Sequence, residues 1–171
     1  MALLPILQYP DPTLTSKAEP VTEFNDELRQ LASDMAETMY AAPGVGLAAN
    51  QVGVLKRIVL IDVSDDKSDL RVLVNPEIIS SSDELADFEE GCLSLKGLYE
   101  HVKRPNSVTV RAQNLDGQFF EYSATGILAV CSQHEIDHLD GIVFIDHLSR
   151  FKKDRARQKL QKLRHNEKRQ G

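Results

Sequence analysis

The 171 residues include no tryptophan and only two cysteines, and aromatic side chains make up just 6%. No apolar run approaches the roughly 20 residues that a membrane-spanning helix needs, so no segment reads as a membrane anchor. The opening residues, Met1-Ala-Leu-Leu-Pro-Ile-Leu7, lack the basic start of a secretory signal and are interrupted by Pro5 and then Pro10. They are also neither Arg-rich nor Ser-rich, as a transit peptide would be. The expected compartment is therefore the cytoplasm, where thiols stay reduced. A disulfide between Cys92 and Cys131 is not expected there, so each cysteine needs another explanation. No internal repeat and no low-complexity stretch stands out.

Hydrophobic residues are 42% of the chain and charged residues 27%, an ordinary balance for a globular domain. At this length one domain is expected, and it can bury a core without disulfides. The net charge of −6 is unevenly spread. From Arg150 to Gly171 ten Lys and Arg face only Asp154 and Glu167, a net +8, which leaves −14 on residues 1–149. The chain thus divides into a body, 1–149, and a basic helix or tail, 150–171, of the same domain. That asymmetry hints at an anionic partner for the tail, although a solvated helix balancing an acidic body is an equally good reading of the charge alone.

The first twenty residues are Pro-rich and are expected to wrap the body as extended chain. Leu28, Leu31, Ala32, Met35 and Met39 recur at helical spacing, predicting a helix over about 25–41 that ends at Pro43-Gly44. Arg57–Val63 and Leu70–Asn75 read as strands, with Glu77–Ser80 as a third. Val108, Val110 and Ala112 alternate with polar residues, and Asp116-Gly117 turns the chain into a hairpin with Gln118–Tyr122. A helix is predicted over about 125–139, with Thr125 as N-cap and Gly141 just past its end. Ile142–Ile145 reads as a short strand. A basic helix runs from Ser149 toward Leu163, with Phe151, Ala156, Leu160 and Leu163 on one side, and frays over 165–171. Strands cluster without βαβ alternation. The class is α+β, with mostly antiparallel sheets around a central buried helix, an N-terminal helix and a basic C-terminal helix.

The central helix carries His134-Glu135-Ile136-Asp137-His138. Histidines four apart on one helical face can reach a single metal ion, and Glu135, one residue off that line, can serve a metal-bound water as general base without being a ligand. Two surface histidines on a solvated face would show the same spacing. The apolar run Ile127-Leu-Ala-Val-Cys131 argues instead for a buried helix whose histidines need partners. A third ligand is required. The longer pattern HExxHxxGxxH fails at Phe144, and the only later glutamate is Glu167, in the tail. Asp146 and His147 follow closely on the turn. Cys131 shares the histidine stripe, where it would not complete a tetrahedral site easily, and reads better as a small buried apolar residue. Cys92, in Glu90-Gly-Cys-Leu-Ser94, would complete a Cys-His-His set with one position left for water; spacing alone leaves it equally able to be an inert loop cysteine. Gly44-Val-Gly-Leu-Ala-Ala49 formally matches a dinucleotide fingerprint, but it follows a helix and precedes a strand, the reverse of what that fingerprint requires. It reads instead as an extended segment pressed close to a backbone or a ligand, with Gln51 at its end.

Taken together, Gly44-Val-Gly-Leu-Ala-Ala-Asn-Gln51, Glu90-Gly-Cys-Leu-Ser94 and Gln133-His-Glu-Ile-Asp-His138 resemble the three ordered motifs of the peptide deformylases. The resemblance covers roughly residues 3–165 and is closest to the bacterial type with a basic C-terminal helix. It implies that Cys92, His134 and His138 bind one divalent metal, natively Fe2+, with Zn2+, Ni2+ or Co2+ able to take its place. The implied reaction removes the formyl group from the N-terminal formyl-methionine of newly synthesised polypeptides. Glu135 would shuttle the proton, while the Gln51 amide and the Leu93 backbone N–H would meet the charge on the formyl oxygen. The resemblance also implies a methionine pocket of Val45, Phe88, Ile127, Val130 and Cys131, with the peptide backbone pairing beside Val45-Gly46 and Gly97–Tyr99. Where the family often has an apolar residue and proline after this cysteine motif, this chain has Leu95-Lys96. Arg104 is expected to be structural and paired with Asp137. The substrate makes the ribosome the expected anionic partner of 150–171, through phosphate and not base sequence. Truncation after about Ser149 is then expected to abolish ribosome binding and spare activity on a short peptide. A metalloendopeptidase, or an RNA-binding factor with a structural metal, are the competing readings; a ligand set without Cys92, or one closed by four protein ligands, would favour them.

Overall fold

Ile58–Ile61 is apolar at every position because this strand is buried on both faces. The computed structural model describes residues 2–170, and the side chains of Lys168, Arg169 and Gln170 lie outside the described residues. Two of the ten tail cations therefore fall outside that description. Asn25 caps the first helix by accepting the Leu28 N–H at 3.1 Å, and α1 runs Asp26–Ala41. Seven strands follow: β1 (Gly46–Ala48), β2 (Ile58–Ile61), β3 (Arg71–Ser81), β4 (Leu85–Gly91), β5 (Tyr99–Pro105), β6 (Ser107–Gln113) and β7 (Phe119–Thr125). Then come α2 (Gly126–Leu139) and α3 (Arg150–Gln170). A five-stranded sheet has the order β1-β2-β3-β6-β7, a two-stranded sheet pairs β4 with β5, and every pairing is antiparallel.

The period of two along β2 decides what each face meets. Ile58 and Leu60 pack with Leu28, Ala32, Met35 and Met39 of α1. Val59 and Ile61 pack on the other face with Leu139 of α2, whose Ala129 and Ile136 meet Val108, Val110 and Ala124. The helix carrying both histidines is thus enclosed. Among the described residues no helix is long and apolar enough to cross a membrane.

Several boundaries differ from the sequence expectation. Leu70–Asn75 and Glu77–Ser80 are one strand, β3, interrupted at Asn75. There φ is +51° and the pairing with β6 shifts register. Asparagine tolerates that conformation, and its side chain is held by both backbone groups of Val21, at 2.8 and 2.9 Å. Ile142–Ile145 is not a strand. Phe144–His147 forms a 3-10 turn, closed by the Val143 N–H donating to the Asp146 carboxylate at 3.0 Å, which delivers Phe144 and Ile145 to the core. Thr125 sits at the N-cap position of α2 without a capping side-chain bond. Gly141 follows that helix at φ +76°, where a Cβ would lie 2.6 Å from the Thr15 carbonyl oxygen; both the turn and the crossing N-terminal segment require glycine.

The basic helix does not fray at 165 but continues to Gln170. Its inner face joins the core through Ala156 and Leu160, with Leu163 packed alongside. Phe151 is off that stripe and 70% exposed: five residues before Ala156 places it about 140° around the helix at 3.6 residues per turn.

Candidate metal centre and active-site groove

α2 delivers His134 and His138 from one face, and the turn after β4 delivers Cys92. Their ligand atoms lie within 4.8 Å of one another, and this is the cluster of metal-ligating side chains among the described residues. Cys92 Sγ and His138 Nε2 face each other at 3.2 Å. The two imidazole rings meet edge to face with centroids 5.0 Å apart. His134 has its Nδ1 engaged by the Glu90 carboxylate at 2.9 Å, which leaves Nε2 directed at the other two donors. A thiolate and two imidazoles suit zinc and the divalent iron-series metals. Bond lengths of about 2.3 Å to sulfur and 2.0–2.1 Å to nitrogen fit within that spacing.

Glu135 lies beside this set and not in it. Its Oε1 is 3.8 Å from His134 Nε2 and 3.9 Å from His138 Nε2. Burial is the main reason its carboxyl is pushed up to about 7, with His134 pulling the other way and Glu90 adding to the rise. The carboxylate is accommodated because residue 46 is glycine: a Cβ there would lie 2.7 Å from Glu135 Oε2. The small-residue segment was expected to press against a backbone or a ligand; at Gly44 and Gly46 it is the Leu93 and Glu135 side chains that approach closely.

Gln51 is fully buried and oriented by the backbone. Its Oε1 accepts the Ala48 N–H at 2.9 Å, so its amino group faces Ser94 Oγ at 3.1 Å and Cys92 Sγ at 3.5 Å. Cys131 lies outside the ligand cluster, against the apolar residues under the sheet. Burial pushes its thiol up to about 12, helped by Glu135 and Glu90. Asp146 and His147, the other nearby donors, are engaged elsewhere: Asp146 pairs with Lys153 at 2.6 Å and His147 with Asp137 at 2.8 Å. Phe144 stacks on His134 with centroids 6.0 Å apart.

A groove of about 1090 Å³ opens over the cluster, with Gln51, Cys92, Leu93, His134 and Glu135 at its floor. All eight residues expected to meet substrate line it: Val45, Gly46, Phe88, Gly97, Tyr99, Ile127, Val130 and Cys131. His138 lies beneath, fully buried.

Behind the histidines is a network that sequence reasoning only half found. Arg104 contacts Asp137 at 2.9 Å as expected, but it also grips Glu90 with two bonds, at 2.6 and 3.0 Å. Although burial opposes ionisation, His134 and Arg104 hold Glu90 below the ordinary carboxylate range. His147 and Arg104 do the same for Asp137 against its burial. The one sequence signal was the position of Glu90 two residues before Cys92, which gives no hint of its partners.

Residues 3–154 match the profile of the polypeptide deformylase family. A peptide deformylase of Cellvibrio japonicus is 56% identical over 162 residues, covering 95% of this chain and 96% of that protein. Peptide deformylase 1 of Burkholderia multivorans is 56% identical over 163 residues, covering 95% of this chain and 90% of that protein. A crystal structure of a peptide deformylase from Legionella pneumophila superimposes with a TM-score of 0.92 at 47% identity, covering 98% of each chain.

Proposed function

This chain belongs to the peptide deformylase family, and from that premise we propose how its own residues carry out the reaction. It is a metal-dependent hydrolase that removes the formyl group from the N-terminus of newly synthesised polypeptides. Cys92, His134 and His138 hold the metal, natively ferrous iron, with zinc, nickel or cobalt able to occupy the same donors. The observation that carries this assignment is one sulfur and two imidazole nitrogens gathered within 4.8 Å, with a carboxylate beside them that is not one of them.

The metal, when bound, supplies Lewis acidity to water and to the formyl oxygen. Glu135, beside the ligand set and not in it, takes a proton from the attacking water. The water oxygen bonds to the formyl carbon, the carbon–nitrogen bond breaks, and Glu135 gives the proton to the departing amine. Formic acid and a free N-terminal amine result, and the acid then releases its remaining proton to become formate. The Gln51 amino group and the Leu93 N–H donate to the formyl oxygen as negative charge grows on it. Val45, Phe88, Ile127, Val130 and Cys131 take the methionine side chain. The peptide backbone lies along Val45-Gly46 and Gly97–Tyr99. The position of β1 at the edge of its sheet supports this pairing, because among the described residues one side of its backbone has no neighbouring strand. Such pairing reads backbone and not side chains, as processing of many different chains demands.

Glu135→Gln tests the proton role, because it keeps shape and removes only the acid–base function. The variant should fold and retain metal while losing about 10²- to 10⁴-fold in turnover of a formyl-methionyl peptide. A variant within a factor of two of the parent would refute the role.

The substrate supports a cytoplasmic location, and the outer face of α3 supports docking on the ribosome. Lys152, Arg155, Lys159 and Lys162 line a groove of about 460 Å³ with Gln158 and Glu100, a cationic surface suited to RNA phosphate. Three other cations of this helix are engaged within the molecule: Lys153 with Asp146, Arg157 with the Tyr9 hydroxyl and Arg164 with Gln8.

A further inference from the structure

The N-terminal segment crosses the two pieces of chain that carry the proposed oxyanion donors. The Leu7 N–H donates to the Gln51 carbonyl at 2.7 Å, and the Tyr9 N–H donates to the Ser94 carbonyl at 2.8 Å. Between them, Gln8 spans the turn after Cys92 from end to end. Its Nε2 donates to the Leu93 carbonyl at 2.8 Å, and its Oε1 accepts the Lys96 N–H at 3.4 Å. Three consecutive residues therefore hold Gln51 and the Leu93–Lys96 turn at a fixed separation.

Gln8 is held in turn by the basic helix. Arg164 Nη2 of α3 donates to Gln8 Oε1, a charge-assisted bond stronger than one between neutral groups. Two further contacts brace the same junction. Arg157 Nε donates to the Tyr9 hydroxyl at 3.0 Å, and Leu163 packs against Gly97, whose φ is +87°. Gln8 lines the active-site groove, but neither Gln8 nor Arg164 belongs to the metal cluster or to the residues assigned to substrate.

We propose that Gln8 is a positioning residue for deformylation: it fixes the Leu93–Lys96 turn so that the Leu93 N–H and the Gln51 amide converge on one point, and Arg164 of α3 holds Gln8 in that orientation. This rests on the oxyanion role given to Gln51 and Leu93. Donors aimed at charge that develops only in the transition state act on kcat, whereas removing a side chain that binds substrate in the groove raises KM.

The test uses metal-loaded full-length enzyme, matched for metal content, on a short formyl-methionyl peptide. Gln8→Met keeps the length and removes both bonds; kcat should fall about three- to tenfold, the scale of one ordinary hydrogen bond, with KM within twofold. Arg164→Met should lower kcat in the same direction by a smaller factor. Arg164→Lys, which keeps a cationic donor, should restore it. The double variant Gln8→Met/Arg164→Met should be no slower than Gln8→Met alone, because both act through one contact. A kcat for Gln8→Met within twofold of the parent, whatever its Tm, or an effect confined to KM, overturns the proposal. Gln51→Ala separates the two levels. If Gln51→Ala leaves kcat unchanged, the oxyanion reading fails and the positioning role fails with it. If it lowers kcat while Gln8→Met does not, only the positioning role is overturned.

Discussion

Gly46 is where a missing side chain shapes the chemistry. Added at this position, a Cβ would stand 2.7 Å from Oε2 and 3.0 Å from Cδ of Glu135. The obstructed atoms run back to Cγ, also 3.0 Å away, and all belong to the Glu135 side chain and not to backbone, so the relief is for that side chain to turn away from the histidines. Gly46→Ala should therefore keep its metal and most of its stability while kcat falls, on the order of 10²-fold if the carboxylate moves by about 1 Å. Turnover measured beside Tm and metal content checks this. A large drop in Tm with normal turnover would mean that the backbone yields instead. Cys131 makes the complementary case. Its place on the histidine stripe made it a conceivable ligand, but it lies outside the ligand cluster, packed against the apolar residues of the sheet and lining the groove.

At the scale of elements, a buried ion network joins β4, β5 and α2. Glu90 and Arg104 meet on the inner face of the β4–β5 pair, where Glu90 stands opposite Glu100 and Arg104 opposite Ala86, with side chains 3% and 4% exposed, and Arg104 reaches on to Asp137. The same pair explains why sequence reasoning missed both strands. Alternation exists in Leu85–Gly91 and Tyr99–Pro105, but an inward position on each strand is filled by a charged residue, so the apolar period is blurred. Asn75 blurred β3 differently, by a local conformation that breaks the pattern within one continuous strand. By contrast, α2 and the β6–β7 hairpin were legible because the apolar run Ile127–Cys131 and the alternation of Val108, Val110 and Ala112 stand out, and Gly117 and Gly141 mark their turns. Removing Arg104 leaves two carboxylates without their cation, one of them in the core. Arg104→Met should destabilise the fold by about 3–5 kcal/mol by denaturant unfolding. Because Glu90 also orients His134, metal affinity should fall about 10- to 100-fold as well. Unchanged affinity would separate the network from the metal.

For the whole molecule, the acidic body and basic helix are integrated more closely than charge suggested. Truncation after Ser149 was expected to spare peptide activity. Ala156, Leu160 and Leu163, however, complete the core around Leu95, Leu98 and Phe144, so truncation would uncover that core and disturb the turn beside Cys92. Replacing surface charge is the cleaner test. Lys152→Glu/Arg155→Glu/Lys159→Glu should abolish co-sedimentation with ribosomes at low salt while leaving turnover of a short peptide within about twofold. The parent's own binding should weaken steeply as salt rises. Ribosome binding that survives these substitutions would leave α3 as a structural helix with a solvated face.

The site itself was legible as three short motifs, but spacing could not bring them together. That takes the sheet, which sets the end of β4 against the face of α2. The identity of the atoms that bind the metal decides between this site and its alternatives. Anomalous diffraction from the loaded enzyme should give one peak about 2.3 Å from Cys92 Sγ and about 2.0–2.1 Å from an imidazole nitrogen of both His134 and His138, with the fourth position outside the protein. A peak bonded to Cys131, or a site closed by a fourth protein ligand, would contradict it.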